Sequence, residues 1–168
     1  MDETAAEIGA VNVIKFIRSE RSLVLKGFNS DVTGFSNSIR PHLTREHRKA
    51  LILGTGGVSK AMEYALRKIG LEVKLVSRSP LENQFTYRDL NEDVLTEYTV
   101  VVNSTPAGMY PNVDECPDIP YEALTSGHLL FDAVYNPPET LFLKKGKEKG
   151  AVVLSGTEML TGQAEAAW

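Results

Sequence analysis

Apolar residues in this chain fall into short continuous runs alternating with stretches of helical spacing. Ala50-Leu51-Ile52-Leu53 is one such run and ends on Gly54-Thr55-Gly56-Gly57, as a strand buried on both faces does when it feeds a turn. Beyond the glycines, Val58, Ala61, Met62, Ala65, Leu66 and Ile69 form one apolar helical stripe, with Lys60, Glu63, Arg67 and Lys68 mostly on other faces. Gly70 stops that helix, and residues 71–76 alternate apolar and charged positions as a strand does. The alternation continues. Residues 99–103, 128–134 and 151–154 predict three more buried strands, separated by helical segments over 93–98, 121–124 and 140–149. This order predicts an α/β fold with a doubly wound parallel sheet.

The first forty residues follow a different pattern. Residues 1–10 predict a helix, 11–17 and 23–28 two strands joined by the polar turn Arg18-Ser-Glu-Arg-Ser22, and 31–43 a second helix. A hairpin and two helices bury too little to stand alone. They are expected to pack on the rest of the chain, on another chain, or on residues outside these 168.

The strand–glycine turn–helix unit carries the candidate chemistry. Gly54 permits a tight turn, Gly56 lets the backbone approach phosphate oxygens, and the following helix offers unpaired N–H groups and its positive dipole end. The pattern, G-x-G-G-x-S-x-A, is a variant of the dinucleotide fingerprint with the third small residue displaced to Ala61. Residues 54–58 (Gly54, Thr55, Gly56, Gly57, Val58) are thus the candidate pyrophosphate site; a glycine turn that binds nothing is the competing reading. At the end of the second strand, an Asp or Glu would hold a free ribose 2′-hydroxyl. The chain has Ser77-Arg78-Ser79 there. A guanidinium and two hydroxyls suit a 2′-phosphate, which favours NADP over NAD; a merely solvated Arg78 is the alternative, and Glu82 lies nearby. The loop over 106–120 holds four prolines and follows a strand end, where such folds build their ligand crevice. It brings Thr105, Gly108 and Met109 into the candidate site.

Composition narrows the partners. The 168 residues are 42% hydrophobic and 24% charged with a net charge of −4, enough for one core and without global attraction to nucleic acid or an anionic membrane. Lysines at 144, 145, 147 and 149 read as the polar face of a helix. The single cysteine, Cys116, can form neither an internal disulfide nor a C-x-x-C site, which points to a reducing compartment. His42, His47 and His128 have no metal-ligand spacing, so no metal is expected. No targeting segment or membrane-spanning run is recognisable, and the cytoplasm is the expected location.

Seven segments, taken in order, carry a resemblance to a known family. They are Gly9-Ala10-Val11-Asn12-Val13, Gly27-Phe28-Asn29-Ser30-Asp31-Val32-Thr33-Gly34-Phe35, the glycine turn, Ser77-Arg78-Ser79, Val102-Asn103-Ser104-Thr105-Pro106-Ala107-Gly108-Met109, Asp132-Ala-Val-Tyr135-Asn-Pro137, and Gly156-Thr-Glu-Met159-Leu160-x-x-Gln163-Ala164. The series resembles that of shikimate dehydrogenase across nearly the whole chain. The resemblance implies NADP-dependent interconversion of 3-dehydroshikimate and shikimate, in aromatic amino-acid precursor synthesis. It implies a trailing part of a substrate domain over residues 1–43, a Rossmann-like NADP-binding domain over 44–155, and a helix over 156–168 returning toward the substrate domain. It also implies roles. Asn12, Asp31, Tyr135 and Gln163 would bind substrate, with Asp31 catalytic beside a lysine. Residues 54–58 would hold pyrophosphate, and Ser77, Arg78 and Ser79 the 2′-phosphate. Thr105, Met109, Ala133 and Gly156 would line the rest of the cofactor cleft. An NAD-using quinate dehydrogenase and a non-catalytic NADP-binding regulatory module are the alternatives.

The departures from the pattern shape the expectation. The family's serine pair for the substrate carboxylate and its catalytic lysine belong, by the resemblance, to a segment preceding the equivalent of Met1; Lys15 and Lys26 match no catalytic position. A position commonly arginine in the phosphate-binding pattern falls at Glu82. A truncated form, inactive alone and prone to self-association through exposed apolar surface, is expected.

Overall fold

The computed structural model describes residues 1–18 and 22–167; residues 19–21 of the predicted polar turn lie outside them. The chain opens with a short helix, α1 (Glu3–Ile8), whose N-terminus is capped by the Asp2 carboxylate. An antiparallel hairpin follows, β1 (Val13–Arg18) against β2 (Leu23–Phe28). Helix α2 (Asp31–Ile39) ends earlier than the predicted 31–43. Pro41 has no N–H to continue the ladder, and the chain tightens into a 3-10 turn over Arg40–His42.

The remaining elements are β3 (Lys49–Leu53), α3 (Gly57–Ile69), β4 (Glu72–Val76), α4 (Glu92–Glu97), β5 (Val100–Asn103), β6 (Leu129–Asp132), α5 (Leu141–Glu148), β7 (Val152–Ser155) and α6 (Thr157–Ala167). Residues 121–124, read from sequence as helical, form only a 3-10 turn over Tyr121–Ala123. The five strands pair all-parallel in the order β4-β3-β5-β6-β7. From β3 the chain steps outward to β4 and then returns across β3 to β5. The winding direction therefore reverses between β3 and β5, which opens a crevice at their carboxyl ends.

Two apolar layers cover the sheet, and the alternation along each strand assigns residues to them. Ala50, Ile52, Val100, Val102, Leu129 and Phe131 face a layer built from α3 (Met62, Ala65, Leu66), α2 (Phe35, Ile39) and Met159 of α6. Leu51, Leu53, Val101 and Leu130 face the opposite layer, which includes Leu95 of α4 and Phe142 and Leu143 of α5. Phe35 is fully buried and meets Phe131 edge-to-face at 4.9 Å. Helices α2 and α6, outside the predicted cofactor domain, thus form part of the sheet's own covering.

The hairpin is the exception to this burial. Ile14, Phe16, Ile17, Leu23, Val24 and Leu25 are all exposed, Phe16 at 71%. Among the described residues no helix is long and apolar enough to cross a membrane. No group of three or more His, Cys, Asp or Glu side chains there could hold a metal ion.

Candidate active site

The crevice at the sheet reversal is built from the glycine turn upward. Gly54 has φ 105°, and its N–H donates to the Val76 carbonyl at 2.9 Å. A β-carbon there would also lie 2.8 Å from Ser104 Oγ, so both backbone shape and space require glycine. Ser104 in turn donates to the Leu53 carbonyl at 2.7 Å, locking the β5 exit against the β3 exit. No side chain caps α3, whose N-cap is Gly56. The first-turn N–H groups therefore have no capping side chain, an arrangement that suits an anion. Open space surrounds the positions where β-carbons of Gly56 and Gly57 would lie, with nothing within 4 Å.

A cavity of about 1100 Å³ runs outward from this turn. Gly54, Thr55 and Gly56 line one side, Ser77, Arg78 and Ser79 the end of β4, and Thr105 the end of β5. Tyr87 and Arg88, which the sequence motifs did not single out, line it as well. A smaller cavity of about 460 Å³ also includes Thr105 and is bounded by Met109, Ala133 and Tyr135. Gly57 and Val58 line neither cavity but begin α3. Gly156 is buried behind Ala133, where a β-carbon would lie 2.4 Å from the Ala133 carbonyl oxygen.

A buried polar network underlies the junction of the two cavities. Asp132 Oδ1 accepts from Asn103 Nδ2 at 2.9 Å and from Val134 N–H at 3.0 Å, while Oδ2 accepts from Thr140 Oγ1 at 2.5 Å. Asn103 Oδ1 accepts from the Thr105 N–H at 3.0 Å and the Thr105 hydroxyl at 2.6 Å. The β5 and β6 exits are therefore tied through one carboxylate. Burial pushes the Asp132 carboxyl up to about 6, against the hydrogen bonds from Thr140, Val134 and Asn103 that favour its charged form.

Asn12, Asp31 and Gln163 line neither cavity. Asn12 Oδ1 accepts from Ser30 N–H at 2.9 Å, and Asn29 Oδ1 accepts from Asp31 N–H at 3.0 Å. Asp31 is half-buried; burial raises its carboxyl pKa, and a hydrogen bond from the Asn12 side chain opposes the rise. Helix α6 crosses α2 so closely that a β-carbon at Gly34 would lie 2.5 Å from the Met159 carbonyl oxygen and 2.8 Å from Gln163 N. The Gln163 backbone therefore packs beside Gly34, which lies about one helical turn along α2 from Asp31. Asp31 has no ion-pair partner among the described residues.

A five-stranded parallel sheet with a glycine turn and an uncapped helix at its reversal point defines a Rossmann-like α/β protein. No protein-family model matches the chain. The shikimate dehydrogenase (NADP(+)) of Methanosphaera stadtmanae is 32% identical over 180 residues, covering 97% of this chain and 62% of that enzyme. Among solved structures, shikimate 5-dehydrogenase from Thermus thermophilus, in complex with NADP(H) and shikimate, has a TM-score of 0.81 and 31% identity, covering 99% of this chain and 63% of that one. The quinate dehydrogenase of Corynebacterium glutamicum, in complex with NAD, has a TM-score of 0.84 and 28% identity, covering 99% and 64%. Over the span it shares with them, this chain is a homologue of the shikimate dehydrogenases. It spans about 62% of the length of that curated relative.

Proposed function

We propose that this chain forms the NADP-binding part, and a portion of the substrate side, of a shikimate dehydrogenase that interconverts 3-dehydroshikimate and shikimate. The observation that carries the reading is the large cavity, where the glycine turn, Ser77-Arg78-Ser79 and Thr105 converge at the sheet reversal. The residues suit the cofactor. Open space beside Gly56 and Gly57 accommodates a pyrophosphate against the free N–H groups of α3. Ser77, Arg78 and Ser79 offer donors, with no carboxylate among the three, where a 2′-phosphate would lie. NADPH would supply the hydride.

The chain's own residues orient the reactants. Thr105, Met109 and Ala133 bound the smaller cavity as a nicotinamide end, with Gly156 packed behind Ala133, and Tyr135 on the same cavity reaches toward the substrate. Asp31, Asn12 and Gln163 bind substrate hydroxyls. The carboxyl of Asp31, raised by burial and steadied by Asn12, can share a proton with a ring oxygen as charge develops there. With no lysine ion-paired to it among the described residues, the 168-residue chain is proposed to bind cofactor without turning substrate over.

Calorimetric titration with NADP and NAD, paired with an assay of shikimate-dependent NADP reduction, tests this reading. NADP should bind more tightly than NAD, and Arg78→Ala should weaken NADP by about ten-fold or more. The second assay should stay at background. Binding of neither dinucleotide would overturn the cofactor assignment, and measurable turnover would overturn the proposed inactivity. The exposed Glu82, three residues after Ser79 and like-charged to phosphate, is the feature that speaks for the NAD-using alternative, and tighter NAD binding would establish it.

A further inference from the structure

A 2′-phosphate carries close to two negative charges near neutral pH, and the Ser77-Arg78-Ser79 turn offers one cation. The next charged residue along that loop is Glu82, which is exposed and lines neither cavity. A second cation reaches the large cavity from farther along the chain. After Glu82 the backbone folds back on β4: Ser77 N–H donates to the Phe85 carbonyl at 2.9 Å, and Phe85 N–H to the Leu75 carbonyl at 2.9 Å. Phe85 is further held edge-to-face against Tyr98, with ring centroids 5.9 Å apart. This return places a 3-10 turn, Tyr87–Asp89, beside the end of β4.

Local hydrogen bonding engages the acidic side chain of this turn. The Asp89 carboxylate accepts from Thr86 N–H at 2.6 Å and from the Thr86 hydroxyl at 2.8 Å, forming a capping box. Those bonds hold Asp89 below the usual carboxylate range and engage it with the backbone. Arg88 is exposed, lines the cavity with Arg78, and has no ion pair among the described residues. Tyr87 lies close enough to Arg78 for the guanidinium to act on its hydroxyl. Glu115 and Asp118 also line the cavity, and neither is ion-paired to Arg78 or Arg88. Two guanidinium groups with no ion pair among the described residues thus border one cavity from two separate turns.

We infer that Arg88 is a specificity-determining residue for NADP, supplying a second cation to its 2′-phosphate from the turn that lies beside the Ser77–Ser79 turn. The inference rests on the proposed NADP-binding reading. Arg88 is exposed, so removing its side chain leaves the core intact, and circular dichroism can verify this for each variant.

The test is calorimetric titration of wild type, Arg88→Ala, Arg88→Lys and Arg78→Ala with NADP, NAD and 2′,5′-ADP. Arg88→Ala should weaken NADP and 2′,5′-ADP by about ten-fold, leave NAD within about two-fold, and flatten the salt dependence of NADP binding. Arg88→Lys should recover part of the loss. If wild type prefers NADP but Arg88→Ala binds it unchanged, or loses NADP and NAD equally, the inference fails while the cofactor assignment stands. If wild type binds neither dinucleotide, both fail.

Discussion

Asp132→Asn separates the charge of the buried carboxylate from its shape. Asp132 is inaccessible to solvent, and its carboxyl is pushed up to about 6 from an ordinary value of 3.8, a rise of about two pH units. At about 1.4 kcal/mol per unit, this is about 3 kcal/mol of differential stability. The sign follows from proton binding. Between pH 4 and 6 the folded chain retains a proton that the unfolded chain has lost, so stability falls as pH rises through that window and levels off above it. The asparagine keeps an acceptor for Asn103 Nδ2 and Val134 N–H, and its amide can donate to the Thr140 hydroxyl, but it does not titrate. Urea unfolding followed by circular dichroism, at pH steps from 4 to 7, should show similar stabilities at the acid end. Near pH 7 the variant should be more stable by about 3 kcal/mol. A difference that stays flat across the series, or favours wild type increasingly as pH rises, would refute the reasoning.

Two further perturbations address the packing. Phe35→Ala removes a fully buried ring that meets Phe131 and should cost about 3–5 kcal/mol in urea unfolding; a loss under about 1 kcal/mol would mean that α2 is not a true layer of the core. The exposed side chains of the β1–β2 hairpin should drive concentration-dependent association, visible by light scattering and reduced by Phe16→Glu. A monomer at every concentration would remove that role from the hairpin.

The β3–α3–β4 unit was readable because its period changes at glycines: a continuous run, then a helical stripe, then alternation, each with its own stop. The end of α2 was less readable. The apolar spacing continues past Ile39, but Pro41 removes a donor and converts the last turn to 3-10. Tyr87 and Arg88 carry no such signal, for a different reason. Their place beside β4 depends on backbone bonds from Phe85 to residues up to ten positions earlier, Ser77 and Leu75, which leave no hydrophobic period in the sequence. The Thr86-x-x-Asp89 capping pattern was the available local signal for that turn. The layer formed by α2 and α6 was hidden in a similar way. An apolar helix face announces that it will be buried, not which surface will bury it, and Phe35 meets Phe131 only after the sheet exists.

The contact between α2 and α6 sets a length scale. Gly34 and Gly162 let the two helices approach until a β-carbon on Gly162 would lie 3.2 Å from the Gly34 Cα, while Phe35 and Met159 anchor the same helices in the core that carries the cofactor cleft. On the proposed reading, Asp31 and Gln163 present the substrate from these helices, and reacting atoms must come within about 3–3.5 Å of one another. The width of a single methyl group in the helix crossing is then comparable to the whole tolerance of the reaction. Bulk added at Gly34 would throw the substrate out of alignment as it strains the core, so adaptation to a wider ring is easier at the exposed Tyr135 than through this crossing.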